Sequence, residues 1–447
     1  MLKKGRKFIK EEKKDIKEIY RRFWKRDFSG NTGQAIKNSA YSFSTTLVQK
    51  IGAIIFTIII ARLLMPELFG LYSLALTTIG LFAIISDLGI SSTLIRFFSK
   101  ELAKNKPNTL GYYNHLLKIK FLLTFFASLI LILSSYWIAS IYYDKPIFYA
   151  LLAGGLYLFI TSFLSFFESI YQSFNNFKKS LMRESIFQVL RLIIIPLIII
   201  FSLKFSENVL LLNILLGLSF CYLIALIFLF IKRPILSGKN LNKEQKKQVN
   251  KFILPLTAIA LSGIFFVSID KIMLGHFVSA EFIGYYAAAF SLIGAVMGFL
   301  SFSGALFPIF SRLGGKKLKK GLRKSVKMVL LASFIIILIT LIFSPLIIKI
   351  IYGTQYSLST NLLRLLAILI ISEPLAAIYS NYYVAIGKTG KMVKLLISAA
   401  LLNIILNYVF IITLLPRGNL AAVFGAVIAT LISRYLFLFG LIVFRKK

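Results

Sequence analysis

Apolar residues recur in runs of about twenty from about Ala40 to the C-terminus, each long enough to cross a bilayer core as a helix. The run boundaries predict twelve spans, over approximately 38–62, 70–92, 117–140, 147–172, 183–204, 208–231, 251–275, 282–308, 328–351, 359–384, 392–414 and 419–443. The fold class that follows is an all-α polytopic membrane protein. Residues 1–35 have a different pattern. Ile9, Ile16, Ile19, Tyr20, Phe23 and Trp24 fall near one helical face with lysines around them. This spacing predicts a basic amphipathic helix on the anionic inner leaflet, the alternative being a basic tail that only enforces topology.

The polar joins between spans carry the topology. Every second join is basic: Arg96, Lys100, Lys104 and Lys106, then Lys178, Lys179 and Arg183, then Lys232, Arg233, Lys239, Lys243, Lys246 and Lys247. The series continues with Arg312, Lys316, Lys317, Lys319, Lys320, Arg323 and Lys324, then Lys388 and Lys391, and ends at Arg445–Lys447. The alternate joins hold little beyond Arg62, Lys145, Lys204, His276 and Arg417. This alternation places both termini in the cytoplasm of a protein of the cytoplasmic (plasma) membrane. The expected division is a surface segment at 1–35, an N-terminal six-helix bundle at 36–232, a cytoplasmic linker at 233–250 and a C-terminal bundle at 251–447.

Composition changes little in this picture. With 58% hydrophobic and 15% charged residues, a soluble domain of this length is excluded. The net charge of +37 raises nucleic acid as a partner, but no nucleic-acid-binding motif supports it and cytoplasmic loops account for the excess. Cys221 stands alone in an apolar run, so no disulfide is expected. No GxxxxGK[ST] string occurs, which removes support for an ATP-driven pump. The first apolar run starts too late and is too long for a cleavable signal.

The string ARLLMPELFGLYSLA (61–75) has an echo in GHFVSAEFIGYYAAA (275–289). Aligning Gly70 with Gly284 (284 minus 70, an offset of 214 residues) also matches Glu67 with Glu281, Tyr72 with Tyr286 and Ala75 with Ala289. Six spans separate the copies, so both cross in the same direction, as in parallel repeats about an axis along the membrane normal. SIYYDKP (140–146) beside KIIYGTQ (349–355), and NNFKKSL (175–181) beside IGKTGKM (386–392), extend the repeat. Glu suits the positive end of a helix dipole, Gly a close helix contact and Tyr the aromatic belt of the outer interface. These residues therefore read as architecture. Two like-oriented bundles suit a transporter that binds between them and rocks.

ARLLMPELFGLYSLA, SDLGISSTLIRF (86–97), SIDKIMLGHFVSAEFIGYYAAA (268–289) and the closing set Asn403, Asn407, Pro416, Gly418 and GAVIAT (425–430) carry a resemblance. They are similar to the polysaccharide and oligosaccharide-lipid flippases of the multidrug/oligosaccharidyl-lipid/polysaccharide exporter superfamily. LAAVFGA (420–426) departs from the family's tighter glycine-rich stretch. The resemblance implies a transporter and not an enzyme. It would translocate a polyprenyl-diphosphate-linked oligosaccharide by alternating access through a cationic central cavity, for polysaccharide or glycoprotein glycan biosynthesis. It implies no cofactor beyond proton or sodium coupling. The implied partners are lipid-linked oligosaccharide and membrane phospholipids, with glycan polymerases or glycosyltransferases as candidate protein partners, and a monomer is the favoured state.

Charges inside the spans are the candidate chemistry, because placing them in hydrocarbon costs about 2.5–3.5 kcal/mol each on insertion scales. Lys50, Arg191 and Arg434 lie well inside spans from both halves and suit a phosphate-bearing cargo, Lys as a point charge and Arg as a bidentate clamp. Their alternative role is ion pairing with Glu168, Glu184 or Glu373. Arg62 and Asp87 match motif positions, and Asp270 beside Lys271 matches the family's acidic position in helix seven. The expected substrate-binding set is Lys50, Arg62, Arg191, Lys271 and Arg434, and the coupling or gating set is Asp87, Glu168, Asp270 and Glu373, with no metal site. Gln172 and Arg364 also lie in spans, Glu373-Pro374 predicts a bend in helix ten, and Lys118, Lys120 and Lys349 are expected to snorkel. A cation-coupled drug exporter would favour an acidic or aromatic cavity. A membrane glycosyltransferase would need catalytic carboxylates in a sizeable outer loop, and those joins are a few residues long.

Overall fold

The computed structural model describes residues 30–104, 108–231, 233–300 and 315–444. The amphipathic segment expected at 1–35 falls almost wholly outside these residues, as do 301–308 of the eighth span and Arg312. Among the described residues the structure is helical with no strand. The first half comprises α1 (Gly30–Ile85), α2 (Ile90–Leu102), α3 (Thr109–Tyr136, continued by a π-helical turn at Trp137–Tyr142), α4 (Phe148–Ser173), α5 (Phe177–Ser202) and α6 (Glu207–Phe230). The second comprises α7 (Lys243–Phe277), α8 (Ala280–Leu300), α9 (Gly315–Ile351), α10 (Ser359–Leu366), α11 (Leu369–Ala385), α12 (Thr389–Leu414) and α13 (Asn419–Val443).

Ten stretches among the described residues are long and apolar enough to cross a membrane. One of them, 36–85, holds two crossings, because α1 folds at Met65 (φ 60°, ψ 172°). Pro66 causes the fold: it lacks an N–H and forces the preceding residue out of helical geometry. With α7, whose stretch 252–269 carries no charged residue, the spans among the described residues number twelve, as the sequence predicts. The second crossing is itself broken at 86–89, where Leu88 and Gly89 take positive φ (41° and 83°) before α2 begins. The tenth is broken between α10 and α11, a few residues before Glu373-Pro374 and not at it. Pro374 lies inside α11, and the Ile370 carbonyl that it deprives of a donor accepts from the Ser333 hydroxyl of α9 at 2.9 Å.

The joins sort onto two faces. On one, the turn before α3 bonds the 233–242 linker (Leu110 N–H to Ser237 O, 2.9 Å) and Lys179 reaches the Ile231 carbonyl at 2.9 Å. This basic face carries the lysine-rich joins. The opposite, elbow face carries the fold at Met65, the 142–147 turn and the join before α8. Toward the elbow face one apolar core is shared by both halves, running from Ile60 and Leu74 through Ile283 and Tyr356. Toward the basic face it divides. One separate cluster unites Phe98, Tyr112 and Phe166 with Leu241 and Val249, and another unites Leu322, Tyr383 and Leu441 of the second half. The linker and the first turns of α7 thus pack on the first half: Phe252 meets the Phe97 ring edge-on and Arg96 lies 4.1 Å over its face.

Candidate functional site

The elbow face is closed by the repeated strings themselves. A Cβ on Gly70 would stand 1.9 Å from the Ala280 carbonyl oxygen, and a Cβ on Gly284 would stand 1.9 Å from the Pro66 carbonyl oxygen. Ala280 is the 214-residue counterpart of Pro66, so the contact is reciprocal about the pseudo-twofold axis. Only glycine permits backbones this close. Around this contact the halves exchange hydrogen bonds. Tyr356 donates to the Ala61 carbonyl at 2.8 Å, and Arg62 donates to the carbonyls of Ile350 and Ile351, capping the C-terminal end of α9. Lys145 donates to the Gly275 carbonyl at 2.7 Å, and burial at this junction pulls its ammonium below its ordinary pKa. His276 Nδ1 donates to the Tyr142 carbonyl and its ring stacks on Tyr142 at 4.8 Å. Arg62, a predicted substrate ligand, therefore stands in the closure.

The repeated tyrosines correct the expectation of an aromatic belt. Tyr72 and Tyr286 are buried, not interfacial. The Tyr286 hydroxyl donates to Asp270, which also accepts its neighbour's backbone N–H (Lys271) at 2.9 Å; no ion pair to Asp270 appears among the described residues. Glu67 and Glu281 do occupy exposed first turns, as helix-dipole pairing requires.

Between the halves, the first arm of α1 and α8 enclose a cavity of 310 Å³ lined by Lys50, Thr57, Ser291, Gly294, Gly298 and Tyr352 among others. The Lys50 ammonium donates to the Gly298 carbonyl, and a Cβ at 298 would crowd that ammonium at 2.8 Å. Of the five predicted cations, Lys50 alone lines this cavity. Lys271 crosses between halves to the Ser73 hydroxyl at 3.4 Å. Arg434, 3% exposed, is paired with Glu373 and donates to the Phe266 carbonyl at 3.2 Å.

Arg191 is different. Its guanidinium lies 4.4 Å from the Phe56 ring centroid and 5.0 Å from that of Phe187, and Phe187 stacks on Tyr222 at 3.9 Å. Its Nε and Nη2 are buried and have no hydrogen-bond partner among the described residues. The carboxylates offered to it by the sequence, Glu168 and Glu184, go instead to Arg183, which accepts neither solvent nor a surface role: its side chain is 8% exposed. The sequence assigned Arg183 to a basic join, and nothing in its spacing signalled otherwise. Arg364 bonds the Ser344 hydroxyl at 2.7 Å.

Asp87 sits at the break before α2, where it accepts from Ser91 at 2.6 Å and from Lys120 at 2.7 Å. Lys120 does not snorkel. Its side chain is 0% exposed, because α3 is packed on that face and the carboxylate offers the needed partner. Lys118 and Lys349 are exposed, as expected. The Leu88 carbonyl at the same break accepts from Thr257 of α7 at 3.2 Å, tying the hinge to the other half.

The comparisons with known proteins agree with this architecture. The sequence signature described as Polysaccharide biosynthesis protein matches residues 35–314, and that described as MatE matches residues 256–409. A Shigella flexneri protein described as "Putative O-antigen transporter" is 25% identical over 375 residues, covering 79% of this chain and 85% of that protein. Among solved structures, an inward-facing multidrug resistance MATE family transporter of the MOP superfamily superposes with a TM-score of 0.69 at 15% identity, covering 89% of this chain and 96% of that one. The lipid II flippase MurJ in an inward closed conformation gives 0.69 at 17% identity, covering 90% and 87%. A MOP superfamily transporter from Pyrococcus furiosus gives 0.58 at 15% identity, covering 91% and 94%. At these identities the structures speak for the fold.

Proposed function

The chain belongs to the polysaccharide biosynthesis protein family of multi-pass membrane proteins in the exporter superfamily, and from that premise we propose that it is a flippase for polyprenyl-diphosphate-linked oligosaccharide. The observation that carries this reading is the Arg191 guanidinium, buried within a span with two nitrogens unpartnered among the described residues. An unpaired cation in hydrocarbon is expensive, and a planar fork of free donors matches a phosphate oxygen pair. Lys50, on the cavity wall between the halves, supplies a second point charge for the diphosphate. The likeness to an O-antigen transporter and to a lipid II flippase supports a glycan-lipid cargo. In this reading the basic face is cytoplasmic, the elbow face is the exit side, and the prenyl tail stays in the bilayer. The 310 Å³ cavity is at the small end for ligand pockets, so cargo enters after the halves part.

The test is reconstitution in liposomes with a fluorescent polyprenyl-diphosphate oligosaccharide, following its protection from a membrane-impermeant quencher. Wild type should flip the probe, and Arg191→Ala and Lys50→Ala should slow it at least about tenfold, the loss of one charge-assisted contact. Undiminished flipping in both variants would remove the cationic site, and no flipping by monodisperse wild type would remove the flippase reading. A second reading, export of amphipathic drugs, draws on the aromatic wall of Phe56, Phe187 and Tyr222 and the MatE match. Arg191 opposes organic cations there, and uptake of such a cation in the same liposomes separates the two.

A further inference from the structure

Three to eight residues before the candidate cation on α5, and joined to Glu168 of α4, lies a cluster that the transport reading leaves unused. Arg183 donates through Nη1 to Glu184 at 2.5 Å and through Nη2 to Glu168, and Gln188 donates through Nε2 to the other Glu184 oxygen at 2.5 Å. The side chains are 8%, 4% and 16% exposed for Arg183, Glu184 and Glu168, and Gln188 is 4% exposed. Two carboxylates thus share one guanidinium inside the membrane. With both ionised the cluster holds one negative charge in excess, which a low-dielectric interior penalises. Two carboxylates held by one guanidinium form the kind of pair that can share a proton.

A second observation points to what neutralises the excess. The Gln188 Oε1 is buried with no hydrogen-bond partner among the described residues, and so is the Ser180 hydroxyl two turns earlier on the same stripe of α5. An orphan amide oxygen beside a carboxylate is the acceptor that a carboxylic acid O–H needs. The space is tight: a Cβ on Gly52 of α1 would stand 2.2 Å from this oxygen. A metal cation needs several oxygen ligands around it, whereas a proton needs no volume.

We propose that the Glu168–Arg183–Glu184 cluster, with Gln188 as acceptor, is a binding site for one exchangeable proton. The proton binds a carboxylate oxygen of the pair, the acid O–H donates to the Gln188 carbonyl oxygen, and Arg183 keeps the remaining carboxylate. The groups facing the pair are Gln172 from α4, Ser180 and Arg183 from α5, Tyr222 from α6 and the backbone at Gly52 from α1. Along α5, Arg191 is seven residues from Glu184, about 10 Å of helix rise. Resting on the flippase reading, this spacing couples the sites: an anion on Arg191 cancels the positive charge that helps hold the cluster ionised. Cargo then favours proton uptake, and the proton favours cargo by the same factor.

Infrared difference spectroscopy of the full chain in liposomes, between about pH 5 and about pH 9, tests the site without any cargo. Wild type should show the carbonyl stretch of one buried neutral carboxylic acid at the acid end, fading toward the alkaline end. Glu168→Gln and Glu184→Gln should each abolish the band, because the remaining carboxylate then matches Arg183 one to one. Gln188→Leu should keep the band but shift it to the frequency of an acid without an acceptor. A wild type with no such band, or a band that survives both glutamine substitutions, overturns the proposal. So does a melting temperature that depends on sodium against choline at fixed pH and loses that dependence in Glu168→Gln. In the flipping assay Glu184→Gln should still move the probe but lose its response to an imposed pH gradient. If wild type shows the band and flips nothing, the proton site stands and the flippase reading fails.

Discussion

At the basic end of the first half, the Tyr171 hydroxyl donates to the Leu229 carbonyl; 212 residues on (383 minus 171), Tyr383 donates to Leu441 at 3.1 Å. The turns that follow match as well. Asn175 and Gly387 both take positive φ, 57° and 72°, and the next N–H returns to the tyrosine's carbonyl at 2.9 Å in each half. At the elbow end, Tyr143 meets Thr78 at 3.1 Å and its counterpart Tyr352 meets Ser291 at 2.7 Å. The charged interiors have no such correspondence. In the first half Arg191 has no carboxylate among the described residues and Arg183 has two; in the second half Arg434 has one carboxylate, Glu373, and is matched. Duplication fixed the helix ends, where a backbone carbonyl always needs a donor. The interior was free to diverge, because a side chain there answers only to the helix that faces it.

The largest effect should come from breaking the one contact that the two copies make with each other. Gly70→Leu forces the Pro66–Gly70 and Ala280–Gly284 backbones apart, at a cost of about 1–3 kcal/mol or more for overpacking. In a Cys221→Ala background, a cysteine at Thr57 on the cavity wall should then react with an impermeant thiol reagent added on the elbow side. Protection equal to that of the Gly70 parent would show that the closure does not depend on this contact. Next, Arg434→Leu strands Glu373 and should destabilise the protein by about 3 kcal/mol, while the double change with Glu373→Leu recovers most of the loss. Denaturant-induced loss of the folded state in detergent measures both.

Arg191→Ala should sharpen the contrast from the other side. It should cost about 1 kcal/mol of stability, from the lost ring contacts, while slowing flipping at least about tenfold. Equal stability losses for Arg191→Ala and Arg434→Leu would erase the asymmetry between the halves. A smaller effect is expected at the tenth span. Ser333→Ala leaves the Ile370 carbonyl without a donor, costing about 1 kcal/mol, and should be nearly neutral once Pro374→Ala restores the helical N–H. The smallest test compares Tyr143→Phe with Tyr352→Phe, each worth about 0.6 kcal/mol for an interhelical hydrogen bond. Matching values are expected if the frames are equivalent.

The twelve crossings, the even spacing of basic joins and the duplicated strings were legible from the chain alone. A span must be apolar over its whole length, and a helix satisfies its backbone locally, so neither property needs a distant partner. Even the three echoes of the repeat were visible as weak matches, since they mark turns whose residue types are locally constrained. What the chain could not disclose is which charge meets which. Arg183, Arg191 and Arg434 are equivalent as letters, and Lys120 looked like a residue reaching for the interface. Arg183, Arg434 and Lys120 each reach a carboxylate on another element, at separations of 15 residues for Glu168, 61 for Glu373 and 33 for Asp87. Likewise Gly70 and Gly284 each announced a close contact, but that they make it with each other follows only when two like-oriented bundles meet about their axis. The sequence determined the helices and the alternation of their joins, because those are short-range consequences of apolar length and charge. The tertiary structure decided pairing and vacancy, because a side chain's partner is set by which helix faces it across the bundle.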